Sequence, residues 1–249
     1  MKNTMIFVAA SALWASASAG NVQIQVLDRD GKPVPEAVVV VYPGGTGGTS
    51  PSLLQANPTI EQEKMRFVPA VTVVEPGATV RFTNQDRWDH HVRGAAAGLA
   101  AAGTANSGFE LRLAGKADGK PASSFEVKLD TPGVVLLSCH LHGSMRGHVF
   151  VTDSGWTLKT DADGIARFAG VPDGAAQVRV WHAEQLVDLP RKALNVVPEP
   201  VLDTVQLSVV PRMQRAPRAV PAPASPPGGA MGGYGQGPAR QGEPVAHRH

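Results

Sequence analysis

The chain predicts an all-β protein made of short strands. Runs rich in β-branched and aromatic residues recur along it, Gly, Pro, Asn and Asp fill the gaps between them, and no stretch combines a helical period with caps. Short strands at such spacing suit a sandwich or a barrel.

Taken in order, residues 1–19 read as a secretory signal. Lys2 gives a positive start, Met5 to Ala15 an apolar stretch too short to span a bilayer, and Ala17-Ser18-Ala19 a small-residue cleavage site before Gly20. The expected location of the mature chain is therefore the periplasm or the exterior. Residues 20–45 hold two predicted strands, Val22 to Leu27 and Ala37 to Tyr42. Residues 46–64 read as a loop, Gly/Thr/Ser/Pro-rich and then polar. Residues 65–152 carry predicted strands at Val71 to Glu75, Thr79 to Thr83, Phe109 to Leu113, Phe125 to Leu129, Val134 to Ser138 and His148 to Thr152. Ala95 to Gly103 reads as one short helix or a small-residue loop. Residues 153–210 resume a strand pattern with Asp-Ala-Asp-Gly and Pro-Asp-Gly turns. Residues 211–249 are Pro, Ala, Gly and Arg with few large apolar side chains, which predicts a disordered tail.

The formal charge of +2 is unevenly placed: residues 211–249 hold five Arg against Glu243, a net +4, which leaves −2 on the rest. No basic patch interleaves with aromatics, so nucleic acid is not the expected partner, and no segment predicts a membrane span.

Cys139 is the sole cysteine, so an exported chain has a thiol and no internal bridge to put it in. His142 follows at +3 and Met145 at +6, and His90 lies upstream beside His91. A thiolate, two imidazoles and a thioether make a trigonal His₂Cys set with a weak axial Met, which suits copper in both oxidation states. The predicted ligands are His90, Cys139, His142 and Met145, with His91 as the alternative to His90, because neighbouring strand residues face opposite ways. Zinc would use one Cys and two His with water but leaves Met145 without a role. A cysteine hydrolase would pair Cys139 with a His and an orienting Asn or Asp, and it too leaves Met145 unexplained. The remaining histidines get structural readings: His140 pointing away from the site, His148 and His182 as surface, edge or packing residues, and His247 and His249 as tail residues.

These residues resemble those of the cupredoxins. Cys139-x-x-His142-x-x-Met145 is similar to the last loop of amicyanin. Pro76-Gly77 with Val80-Arg81-Phe82-Thr83-Asn84 and His90-His91-Val92 resembles the ligand-bearing segment of plastocyanin-like proteins. Asn84-x-Asp86, His90-His91-Val92, Pro132-Gly133-Val134 and Cys139-x-x-His142-x-x-Met145-x-Gly147 together resemble the secreted plastocyanin-like proteins often called methylamine utilization proteins. The resemblance implies a Greek-key β-sandwich over residues 65–152 with one type 1 copper, Cu(I)/Cu(II). It also implies an electron carrier, not an enzyme, exchanging single electrons with a redox protein such as a c-type cytochrome or a dehydrogenase. A copper carrier or store without redox turnover would use the same ligands, and a structural β-protein would bind no copper. His91 stands where plastocyanin and amicyanin have an Asn that ties the ligand loops together. Multicopper oxidases flank their Cys with His on both sides, whereas Ser138 precedes Cys139 here.

Asn21 to Val40, with its Asp-x-Asp-Gly-x-Pro turn, resembles the opening of an Ig-like, carboxypeptidase-regulatory-like β-sandwich. Thr160 to Trp181 resembles its continuation. The expectation is one discontinuous small sandwich of residues 20–45 and 153–210; the simpler alternative is that Val22 to Tyr42 joins the strands of 71–152.

Overall fold

The computed structural model describes residues 19–44, 54–97, 108–185 and 187–212, and every regular element among them is a strand. No helix there is long and apolar enough to cross a membrane. Residues 1–18 of the signal segment, most of the 211–249 tail and most of Ala95 to Gly103 lie outside the described residues.

The strands are β1 Ala19–Leu27, β2 Val38–Pro43, β3 Thr59–Glu63, β4 Arg66–Val68, β5 Val71–Val74 and β6 Ala78–Asn84. They continue as β7 His90–Ala97, β8 Phe109–Leu113, β9 Ser124–Leu129, β10 Gly133–Cys139 and β11 Arg146–Val151. The last are β12 Thr157–Lys159, β13 Ile165–Pro172, β14 Gly174–Trp181, β15 Lys192–Val196 and β16 Val201–Gln206. Four sheets form, with orders β5-β11-β10-β7-β8, β4-β3-β6-β9, β13-β1-β16 and β12-β2-β14-β15.

The first two sheets close on a core that includes Ile60, Phe67, Val80, Phe82, Val92, Leu113, Leu137 and Val149. This is the cupredoxin-like sandwich. The other two sheets close on Val22, Ile24, Val26, Val39, Val41, Trp156, Phe168 and Val178. β1 pairs antiparallel with β13 and parallel with β16, and β2 pairs with β12 and β14. The hydrogen-bonded partners of the N-terminal strands thus come from residues 157–206.

Two Asp-x-Asp-Gly turns punctuate this second sandwich in the same way. Asp28 Oδ1 accepts the backbone N–H groups of Asp30 and Lys32, and Asp161 Oδ1 accepts those of Asp163 and Ile165. Gly164 is at φ +71°, and a Cβ there would stand 2.6 Å from Val26 O. Both the positive φ and the close approach to β1 require glycine.

β2 is apolar at every position from Val38 to Val41 because both its faces are covered. Val39 and Val41 point into the second core. Val38 and Val40 point the other way, into a layer shared with Trp181 of β14 and with Val71, Val134 and Phe150 of the cupredoxin-like sheet. Trp181 packs on Phe150 at 5.6 Å and edge-on to His148 at 5.3 Å between ring centroids. Lys159 Nζ donates to Val71 O across the same junction.

Three sequence expectations change. Residues 46–64 are not loop throughout, since Thr59–Glu63 is strand β3, parallel to β6. Its inward positions are Ile60 and Gln62, both fully buried, and the polar Gln62 hides the alternation. β4 was likewise not expected as a strand, and β7 runs on through Ala95 to Ala97, the start of the stretch read as a short helix or loop. β7 contains His90, His91, Gly94 and three alanines, a composition with few strand-favouring residues.

His148 gives the junction a pH dependence. Burial, reinforced by the nearby His182, pushes its pKa down to about 4; burial also lowers His182, with Glu184 opposing. The unfolded chain takes up this proton near the ordinary 6.5, whereas the folded chain resists it until about 4. The unfolded state binds more protons between those values, so this contribution to stability is complete above about pH 6.5 and is lost as pH falls toward 4. The urea midpoint should therefore drop over that range, and His148→Gln should flatten part of the drop. An unchanged slope in the variant would place the pH dependence elsewhere.

Candidate metal centre

The site grows from strand alternation at the end of the five-stranded sheet. On β7, His90 and Val92 face inward and His91 and Arg93 outward; on β10, Leu137 and Cys139 face inward. The ladder sets Cys139 opposite Val92, one inward pair along from His90. The chain then leaves β10 in a short turn, with Met145 N–H donating to His142 O at 3.0 Å, and this turn returns His142 toward Cys139.

Three ligand atoms converge there. His142 Nδ1 lies 3.1 Å from His90 Nδ1, and Cys139 Sγ lies 3.7 Å from His90 Nδ1 and 3.6 Å from His142 Nδ1. The two rings meet at 63° with centroids 4.8 Å apart. Separations of this size are those of atoms that each stand about 2.0–2.3 Å from one common point. Among the described residues this is the one His/Cys/Asp/Glu group with all ligand atoms within 4.8 Å of one another. His90 and Cys139 are buried and His142 partly so. Met145, 1% exposed, belongs to the same core cluster as Cys139.

The donor chemistry fits a soft-to-borderline metal. His90 Nε2 donates to Asp86 Oδ2 at 2.9 Å, which fixes the tautomer and leaves Nδ1 with its lone pair toward the cluster. A cation bound by these lone pairs and the thiolate satisfies a set of buried acceptors that otherwise face each other.

Asp86 had no role assigned from sequence. Besides His90 it accepts the backbone N–H groups of Lys64 at 2.6 Å and Met65 at 2.9 Å. Burial pushes its carboxyl pKa up, but hydrogen bonds from Met65, His90 and Lys64 outweigh that and hold it below the usual carboxylate range. Lys64 and Met65 have φ of 53° and 55° and close the two-residue turn between β3 and β4. Non-glycine residues are costly at such angles, and Asp86 offsets that cost by satisfying both turn amides. Asn84, fully buried, braces the next stretch: its Nδ2 donates to the carbonyls of Trp88, Leu113 and Ala114, and its Oδ1 accepts Asp86 N–H. A Cβ on Gly115 would stand 2.2 Å from Arg87 O, so the loop before His90 lies flat against the chain leaving β8.

The other histidines lie elsewhere. His91 and His140 stack on each other on the outer face of the sheet, centroids 4.8 Å apart. The backbone ties the two ligand segments together there, as His140 N–H donates to His91 O at 3.0 Å. His148 and His182 sit at the junction of the sandwiches, and His247 and His249 lie outside the described residues.

Residues 54–152 match the model of the copper binding proteins of the plastocyanin/azurin family. No curated protein matches the chain. Among solved structures, amicyanin from Paracoccus versutus (Thiobacillus versutus) is 18% identical over 45% of this chain and 97% of its own, with a TM-score of 0.31. A Cu(I) amicyanin variant is 18% identical over 47% of this chain and 99% of its own, TM-score 0.31. A copper-containing nitrite reductase from Thermus scotoductus SA-01 is 20% identical over 45% of this chain and 25% of its own, TM-score 0.32.

Asp86→Asn keeps the side-chain shape and removes the charged acceptor. Copper affinity, measured by competition with a chelator, should fall about 10–100-fold, the range for losing a partner that orients a ligand imidazole. Unaltered affinity with a native circular dichroism spectrum would show that the carboxylate does not orient His90.

Proposed function

We propose that residues 54–152, which match the plastocyanin/azurin family model and bring His90, Cys139 and His142 together as potential ligands, are a cupredoxin domain that holds copper. We propose that the chain is a blue-copper electron carrier, with His90, Cys139 and His142 as strong ligands and Met145 as the weak axial one. The observation that carries this reading is the convergence of two histidine Nδ1 atoms and one thiol sulfur within 3.1–3.7 Å of one another. Copper bound there supplies a one-electron couple. The chain supplies a rigid ligand set: His90 is clamped by Asp86, Cys139 closes a sheet ladder, and the core packs around both. Such a frame resists rearrangement between oxidation states, which favours electron transfer.

Burial also supports this reading over copper carriage. His90, Cys139 and Met145 are 1–3% exposed, so handing the ion to another protein by ligand exchange would require the core to open. His142 is the least buried of the three grouped side chains, and Leu141 beside it is 58% exposed. An electron enters and leaves most directly through that imidazole, with Leu141 as an apolar contact for a redox partner such as a c-type cytochrome or a dehydrogenase. The proposed setting is the periplasm or exterior, after cleavage near Ala19-Gly20, and the motifs around His90 and Cys139 resemble those of the methylamine utilization group. The second sandwich, residues 20–45 with 153–210, is proposed as a mount for the copper domain.

Cu(II)-loaded protein should show an intense thiolate-to-copper band in visible light, and Cys139→Ser should abolish it. Met145→Leu should keep colour and shift the reduction potential. His90→Ala should lose strong binding, whereas His91→Ala should cost no more than about 10–100-fold. Leu141→Glu should slow electron exchange with a cytochrome c in stopped flow while copper stays bound. A full blue band in Cys139→Ser would overturn the proposal, and the reverse order of the two histidine variants would move the ligand role to His91.

A further inference from the structure

The outer face of the same strands carries a second group of metal-binding side chains that the copper reading does not use. His91 is on β7, His140 directly follows β10 and Glu110 is on β8. Because β7 lies between the other two in the sheet, side chains from three adjacent strands meet on one face. His140 continues the ladder opposite His91, and cross-strand partners on one face stand within side-chain reach. Their rings stack at 29° with centroids 4.8 Å apart. Glu110 reaches both of them: Oε2 lies 3.3 Å from His91 Nε2, and Oε1 lies 3.8 Å from His140 Nε2.

We propose that His91, His140 and Glu110 form a surface site for a divalent cation of borderline softness, Zn²⁺ or Cu²⁺. Two imidazoles and one carboxylate are a ligand set these ions accept, with water completing the shell. The two imidazoles approach different oxygens of Glu110, so the ligand atoms must draw together to share one ion. The side chains of His140 and Glu110 are 47% and 54% exposed, so they have room to rotate inward onto an ion. Arg93 Nε touches the same carboxylate at 3.9 Å and is itself 53% exposed, so an arriving cation displaces a loose solvent-facing pair. The site is one peptide bond from His90 and one from Cys139. A cation there would place fixed positive charge directly behind the buried centre.

The test uses the full chain with His247→Ala and His249→Ala, so that tail histidines do not contribute. The buried centre is first filled with Cu(I), and ZnCl₂ is then titrated by calorimetry, with imidazole signals followed by NMR. We expect one Zn²⁺ per chain, movement of the His91 and His140 ring signals, and static His90 and His142 signals. His91→Ala, His140→Ala and Glu110→Gln should each weaken binding by at least the roughly tenfold that loss of even an outer partner of a metal site costs. In Cys139→Ser, which lacks the buried thiolate, the His91 and His140 response to Zn²⁺ should persist, so failure of the copper reading and failure of this one give different results. Zn²⁺ affinity equal in all three outer-face variants, or ring signals of His91 and His140 unmoved at saturating Zn²⁺, would overturn the proposal.

Discussion

Cys139 stands opposite Val92 across the β10–β7 ladder, and that register sorts the chemistry of this end of the sheet. It puts Cys139 and His90 on the inner face and His91 and His140 on the outer one. A slip of one residue would exchange the faces, burying the exposed pair and turning the thiol to solvent. The core enforces the register, because Val92, Leu137 and Cys139 share one buried cluster and none of them can leave it without exposing apolar surface.

Around that register runs a polar frame that is small but fully engaged. Asn84 and Asp86 lie two residues apart, one tying its own loop to the end of β8 and the other joining the β3–β4 turn to His90. Buried polar groups are tolerated when every partner is present, and their directionality positions an imidazole more sharply than apolar contact does. The hydrophobic core therefore selects the face, and the hydrogen bonds select the ring orientation.

The cluster of His90, Cys139 and His142 was legible in the sequence because two members are three residues apart on one loop, alternation lets only one of His90 and His91 face inward, and the His90-x-Val92 resemblance picks the first. Most strand positions were legible too, including β2, whose unbroken valines reflect burial on both faces. The β3–β4 hairpin was not. Its turn is Lys64-Met65, without the Asn-Gly signature of such turns, and its stabilising acceptor is Asp86, more than twenty residues away. Asp86, noted only as part of a motif, and Glu110 had no role legible for the same reason: each acts on partners that only the fold brings near. Part of β7 was hidden by its own composition, since histidines, glycine and alanines gain strand conformation here from their neighbours on both sides.

β2 has a consequence for how the chain is made. Its valines emerge early, yet its partners β12 and β14 lie beyond the whole cupredoxin-like sandwich. At roughly 5–20 residues per second, the stretch from Gly44 to Trp156 takes on the order of ten seconds to synthesise. During that time Val38 to Val41 is a short, uncharged, β-prone segment with neither face covered, the composition that pairs readily with copies of itself. The two-sided burial that joins the sandwiches in the finished molecule thus makes the nascent chain most vulnerable at its N-terminal end, and premature release before residue 181 would leave that strand without its full complement of partners.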